Sequence, residues 1–236
     1  MSIEQEFSRY AHEYGNYNTI QTKVKEELLR YLHKHHIRPK KVLDLGCGEG
    51  ALYKAIEALP SWNIESFVGV DFAQGMLDKH PKDLKITLLK NSFNSTKLFE
   101  NLEDYDFDYI FSLSALQWAE NLEFTLKKLH QMKRPFSIAL FTSGTFHTLT
   151  TTAGVAPLLR SEETIKKHAK KIFKSPITNT IKYRLSFENN RDMLNYIKKS
   201  GVSGSRRQLS ITQTRKLLRE YPLNYLEFEV IFIHSS

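Results

Sequence analysis

The chain has very little cysteine: Cys47 is the only one in 236 residues. That excludes an internal disulfide and any multi-cysteine zinc site. No apolar run approaches the roughly 20 residues that a membrane helix needs. The opening M-S-I-E-Q-E-F-S-R-Y has neither a hydrophobic signal core nor a cleavage site, so a cytoplasmic protein with no membrane partner is expected. Internal repeats and low-complexity tracts are missing as well. The run His33, His35, His36 has no carboxylate at ligand spacing. It reads as a solvated helix end ahead of Pro39, and no metal is expected. Acidic charge is the scarcer sign, with 26 Asp plus Glu against 34 Lys plus Arg and a net charge of +8. Such an excess suits an acidic partner: nucleic acid, an anionic surface or an acidic protein. The basic residues are spread along the chain, and no appended RNA-binding motif is present.

What the chain does have is one glycine-rich turn around which the rest is arranged. Lys41 to Gly50 reads K-V-L-D-L-G-C-G-E-G. Val42, Leu43 and Leu45 form the short apolar run of a strand buried on both faces of a parallel sheet. Gly46, Gly48 and Gly50 then give G-x-G-x-G before the helix-like A-L-Y-K-A-I-E-A-L of residues 51 to 59. Asp71 ends a second apolar run, where an acid is placed to accept hydrogen bonds from ribose hydroxyls. A P-loop is excluded, because no Gly-Lys-Ser/Thr follows the turn. Strand, turn, helix and acid together predict a nucleoside site. Cys47 reads as a small residue filling that turn.

Further along, strands and helices alternate, which calls for a doubly wound, mostly parallel α/β sheet in one domain. Residues 1–40 form an N-terminal arm and a helix from Thr19 to His35, striped by Ile20, Val24, Leu28 and Leu32. Tyr10, Tyr14 and Tyr17 in the arm either pack or cover a ligand at the strand ends. Residues 41–142 form the cofactor-binding core. Its strands are expected at Lys41 to Leu45, Ser66 to Asp71, Leu84 to Leu89, Phe107 to Leu113 and Ser137 to Thr142. Asn91, Ser92 and Phe93 follow the third strand, where they either hold and stack an adenine or pack a loop. Gln117 and Trp118 follow the fourth, and Trp118 is either a core anchor or part of the site. Residues 143–210 hold a lid or insertion with a Ser161-capped helix to Phe173, a sixth strand from Ile181 to Phe187 and a helix from Asn190 to Ser200. Residues 211–236 supply a C-terminal helix and a strand of period two, half-buried or at the edge, that closes the sheet.

In D-x-G-x-G-x-G form, with Asp44 leading and Asp71 following, the turn resembles motif I of the class I S-adenosylmethionine-dependent methyltransferases. Within that superfamily the chain is similar to the malonyl-acyl-carrier-protein O-methyltransferases of biotin synthesis. The likeness rests on Phe7, Arg9, Ala11 and Tyr14 in an F-x-R-x-A-x-x-Y pattern and on Gln21 in the first helix. It continues in Ala115, Gln117, Trp118, Asn121 and Leu122, and in Tyr221-Pro222-Leu223-Asn224-Tyr225 before the last strand. Asn91 departs from the pattern, since many relatives carry an aspartate there.

The resemblance implies a seven-stranded sheet with an antiparallel last strand. It also implies methyl transfer from S-adenosylmethionine, leaving S-adenosylhomocysteine, to the carboxylate of a malonyl thioester on an acidic acyl carrier protein. Asp44, Gly46, Gly48, Gly50, Asp71, Asn91, Ser92 and Phe93 would then hold the cofactor. Tyr14, Gln117 and Trp118 would position the reactants. Lys198, Arg206 and Arg207, with Lys167, Lys170, Lys171 and Lys199, would face the carrier protein by charge complementarity.

Overall fold

A computed structural model describes residues 18–199 and 209–235 of the chain. In chain order its elements are α1 (Thr19–Lys34), β1 (Lys41–Leu45), α2 (Ala51–Glu57), β2 (Ser66–Asp71), α3 (Gln74–Leu77), β3 (Ile86–Lys90) and α4 (Thr96–Asn101). Then come β4 (Tyr109–Leu113), α5 (Leu122–Gln131), β5 (Phe136–Phe141), α6 (His147–Ala153) and α7 (Glu162–Ile172). The order closes with β6 (Ile177–Ser186), α8 (Asn190–Lys199), α9 (Ile211–Glu220) and β7 (Tyr225–His234). The seven strands lie in the order β3-β2-β1-β4-β5-β7-β6.

The apolar run Val42 to Leu45 sits in the middle of this sheet, parallel to β2 on one side and β4 on the other. Alternate side chains serve the two faces, as strand geometry requires. Val42, Phe67 and Phe111 meet Leu28 and Leu32 of α1 and Leu52 and Ile56 of α2. Leu43, Val68 and Ile110 meet α4, α5 and α7 through Leu98, Leu126 and Ile165. The chain runs outward from β1 to β3, then returns to β4 on the other side of β1. A crevice therefore opens at the carboxyl ends of β1 and β4, where open α/β sheets take their ligands.

Several boundaries differ from the sequence reading. The third strand starts at Ile86, because Leu84 is fully exposed in the preceding turn. The fourth starts at Tyr109; Phe107 is buried, yet it lies before the ladder begins. The sixth begins at Ile177, four residues earlier than expected, and pairs along its whole length with β7. Two helices lacked a periodic signal: α4, and α6 inside the Thr-rich stretch. The last strand is not at the edge. It lies antiparallel between β5 and β6, and β6 takes the edge. Its second half is buried on both faces, with Ile231 and Ile233 in one core and Val230 and Phe232 in another. The period-two signal survives only in its first half, where Glu227 and Glu229 remain half-buried.

Candidate active site

The turn after β1 is tied to the end of β2 before any ligand is considered. The N–H groups of Gly46 and Cys47 both donate to the Val70 carbonyl, at 2.7 and 3.0 Å. Gly48 N–H donates to Asp71 Oδ2 at 3.0 Å, and Ala73 N–H donates to Asp71 Oδ1 at 2.9 Å. Asp71 therefore braces the turn while buried, and each carboxylate oxygen keeps a further lone pair for a ligand hydroxyl. Burial raises its pKa, and the bonds from Ala73 and Gly48 oppose that rise.

The glycines do different things. A Cβ on Gly46 would lie 2.2 Å from the Ala115 Cβ, so this glycine lets the turn after β4 pack directly on the turn after β1. A Cβ on Gly50 would meet Pro81 and His80 at 2.7 and 2.8 Å. At Gly48, with φ of +55°, no described residue lies within 4 Å of a built Cβ. That open space, beside a backbone only glycine adopts readily, is what close approach of a ligand needs.

Gly46 and Gly48 line an open cleft together with Asp44, Cys47, Glu49, Leu113 and Ser114. Its other wall is the start of α1, through Asn18, Gln21, Thr22 and Lys25. These four stand at helical spacings i, i+3, i+4 and i+7, a polar stripe beside the buried Ile20, Val24 and Leu28. Sequence reasoning reached Gln21 by resemblance alone. The signal that finds the others is the polar face of the same helix whose apolar face was read.

Asp44 is buried at the centre of the sheet, and its Oδ1 has no hydrogen-bond partner among the described residues. Burial, with the Asp71 charge second, pushes its carboxyl up to about 8. A buried carboxyl in this state is a candidate for contact with a cationic or donor ligand. Burial likewise raises the Cys47 thiol, which stays protonated as a filler of the turn.

The remaining expected residues divide. Ser92 N–H donates to Asn91 Oδ1 at 2.8 Å, and Asn91 N–H donates to the Asp71 carbonyl at 3.1 Å, so this loop adjoins the β2 end. Phe93 and Trp118 are buried in one core cluster with Leu116 and Leu122, and core packing accounts for both rings. Gln117 is buried, with its amide donating to the Ser114 carbonyl at 2.6 Å and its Oε1 without a partner among the described residues. Tyr14, Arg206, Arg207 and the side chain of Lys198 lie outside the described residues. The three histidines at the end of α1 are exposed. Among the described residues no group of three or more His, Cys, Asp or Glu could hold a metal, and no helix is long and apolar enough to cross a membrane.

Residues 43–136 match the model of a methyltransferase domain. The chain is 29% identical to the malonyl-[acyl-carrier protein] O-methyltransferase of Geobacter sulfurreducens, over 62% of this chain and 55% of that one. That match spans little more than half of the relative's length. With the protein of the same name from Bacillus cytotoxicus the identity is 25%, over 99% of this chain and 88% of the relative. Among solved structures, the YcgJ protein of Bacillus subtilis shares the fold with a TM-score of 0.58 at 11% identity, covering 89% of this chain and 98% of that one. The plantazolicin methyltransferase, solved in complex with SAH (S-adenosylhomocysteine), gives 0.56 at 13% identity, covering 100% and 95%. The sheet order, the glycine turn with its bracing acid, and the match over residues 43–136 point the same way: this chain has the fold of the S-adenosylmethionine-dependent methyltransferases and is similar to them in sequence through a methyltransferase domain.

Proposed function

We propose that the chain methylates the free carboxylate of a malonyl thioester carried on acyl carrier protein, making the malonyl methyl ester early in biotin synthesis. The observation that carries this reading is the sequence likeness to a relative of that name over 99% of the chain.

The site residues fit the cofactor. Asp44, whose Oδ1 has no partner among the described residues, and Lys25, the one cation among the described lining residues, suit the two charged ends of an amino-acid moiety. The space over Gly48 admits a ligand that a Cβ would exclude. Asp71 retains acceptor capacity for ribose hydroxyls, and Asn91 and Ser92 adjoin it. When bound, the cofactor supplies a methyl group already activated on a sulfonium.

A malonyl carboxylate is ionised at pH 7, so the protein need not deprotonate its acceptor. What remains is to hold the carboxylate oxygen about 3 Å from the methyl carbon and in line with it, and such positioning supplies much of the rate. Gln117, on the turn beside Ser114, and Tyr14 are assigned to this positioning. Once the charge is masked, the acyl chain resembles an ordinary fatty acyl group. The acidic carrier protein would meet exposed Lys167 and Lys170 on α7, together with Lys198, Arg206 and Arg207.

The test is one assay with labelled S-adenosylmethionine against malonyl carrier protein, malonyl-CoA and bulk RNA. Label in a base-labile ester on the carrier protein is the expected result. Label in RNA alone, or in none of the three, would sink the proposal.

A further inference from the structure

The turn between β4 and α5 forms part of the cleft wall, yet it is held from a distant part of the chain. Leu116–Trp118 is a single turn of 3-10 helix, closed by bonds from Trp118 N–H to the Ala115 carbonyl and from Ala119 N–H to the Leu116 carbonyl. So short a turn leaves its later carbonyls without helical donors. Arg160, in the segment between α6 and α7, supplies them. Its Nη1 donates to the Gln117 carbonyl at 3.3 Å, and its Nη2 donates to Ala119 at 2.5 Å and Glu120 at 3.0 Å. The Arg160 carbonyl in turn accepts from Ser143 N–H at 2.8 Å, just past β5.

The opposite side of that turn faces the cofactor end of the molecule. Ala115 packs on Gly46, and Ser114, held at φ of +55°, lines the cleft while its carbonyl takes the Gln117 amide. One half-buried guanidinium thus joins the segments after β4 and β5, and the first of these rests directly on the glycine turn. A planar fork of fixed donors spread over separate nitrogens holds three carbonyls in one set geometry, whereas the donors of an ammonium all sit on one nitrogen at the end of a flexible stem. The core does not depend on it, because Leu116 and Trp118 are already anchored in the apolar cluster.

We infer that Arg160 is a positioning residue for methyl transfer: it holds the turn after β4 against the glycine turn and so sets the wall against which the cofactor lies. The inference rests on the methyltransferase reading, not on the identity of the acceptor.

The experiment compares Arg160→Ala and Arg160→Lys with the parent. It measures melting temperature, S-adenosylhomocysteine affinity by calorimetry, and kcat and KM with malonyl carrier protein. Arg160→Ala should bind S-adenosylhomocysteine roughly tenfold more weakly and turn over ~100-fold more slowly, the scale of loss for a misplaced wall. Its melting temperature should stay within a few degrees of the parent. Millimolar guanidinium should restore much of both functions to Arg160→Ala and do nothing for the parent. Arg160→Lys should fall between the two, with kcat reduced more than KM. Unchanged cofactor affinity in folded Arg160→Ala would overturn the inference. So would a loss matched by a falling melting temperature and unmoved by guanidinium. If Arg160→Ala fails to fold, Arg160→Lys carries the same two outcomes. The cofactor arm needs no acceptor, so it stands or falls apart from the malonyl reading.

Discussion

At the scale of single residues, Asp44 and Gly48 carry the sharpest expectations. The Asp44 carboxyl, raised to about 8 against an ordinary 3.8, holds its proton in the folded protein at neutral pH. The unfolded chain loses that proton first, so Asp44 costs stability increasingly as pH rises from about 4 to 8. A cationic ligand beside Oδ1 favours the carboxylate and reverses the preference. Binding of S-adenosylhomocysteine at pH 7 should therefore release a fraction of a proton, and affinity should climb between pH 6 and 8. Calorimetry in buffers of different ionisation enthalpy measures this. Equal proton release from Asp44→Asn would place the titrating group elsewhere. Gly48→Val is the complementary case. No described residue opposes a Cβ there, but φ of +55° and the ligand space both do. Cofactor binding should fall below detection, while thermal stability drops by only about 1–3 kcal/mol of backbone strain. Intact binding would show that the ligand does not approach this glycine.

At the scale of elements, β7 joins two cores and ends in a buried polar chain. Tyr109 of β4 bonds Ser137 of β5 at 2.9 Å, and Ser137 bonds His234 Nδ1 at 2.7 Å. The His234 ring stacks on Tyr31 of α1 with centroids 3.5 Å apart. Burial first, and His35 second, push His234 down to about 4, so it is neutral in the folded state. Its depressed pKa means stability that is complete above pH 6.5 and lost as pH falls toward 4, on the order of 3 kcal/mol. Urea midpoints for the parent should fall steeply over that window, and His234→Gln should flatten the fall. An unaltered slope in His234→Gln would assign acid sensitivity to other groups. None of this was legible in the sequence, because it depends on which strands are neighbours. The position of β7 escaped for the same reason: periodicity reports how a strand is buried, and β6 covers the side that would have been the edge. By contrast β1, β2 and the stripe of α1 read correctly, since each is buried by a regular pattern. Gly46 and Gly48 were legible because a turn at positive φ calls for glycine, and Asp44 through the motif resemblance. Lys25, Ser114 and Arg160 were not, because only the folded chain brings them to one cleft. Phe93 and Trp118 show the converse, aromatic rings at the right strand ends that the core absorbs.

At the scale of the whole molecule, the net charge of +8 is the feature that the cofactor cleft does not use. Some of the basic charge is spent locally. Lys171 and Lys127 both reach Glu123, and Lys166 reaches Glu162, all on partly exposed side chains. Such pairs are worth little to stability. Lys167 and Lys170 differ. They lie three residues apart on the solvent face of α7, and neither makes an ion pair with any described residue. Arg206 and Arg207 follow in sequence beyond α8, outside the described residues. A basic rim meeting an acidic carrier protein gains chiefly in encounter rate and orientation, and salt screens that gain over about 8–10 Å at physiological strength. Reversing Lys167→Glu with Lys170→Glu should raise KM for malonyl carrier protein several-fold and flatten its dependence on salt. Cofactor affinity and KM for malonyl-CoA should stay as in the parent, since neither needs the protein surface. Arg206→Glu with Arg207→Glu provides the matched comparison. If that pair alone raises KM, the carrier protein docks beyond α8 and not on α7. An equal loss with carrier protein and CoA thioester would instead put the mutated residues at the malonyl group itself. If neither reversal changes KM at low salt, the carrier protein does not use this charge at all, and the surplus serves only to keep the surface solvated.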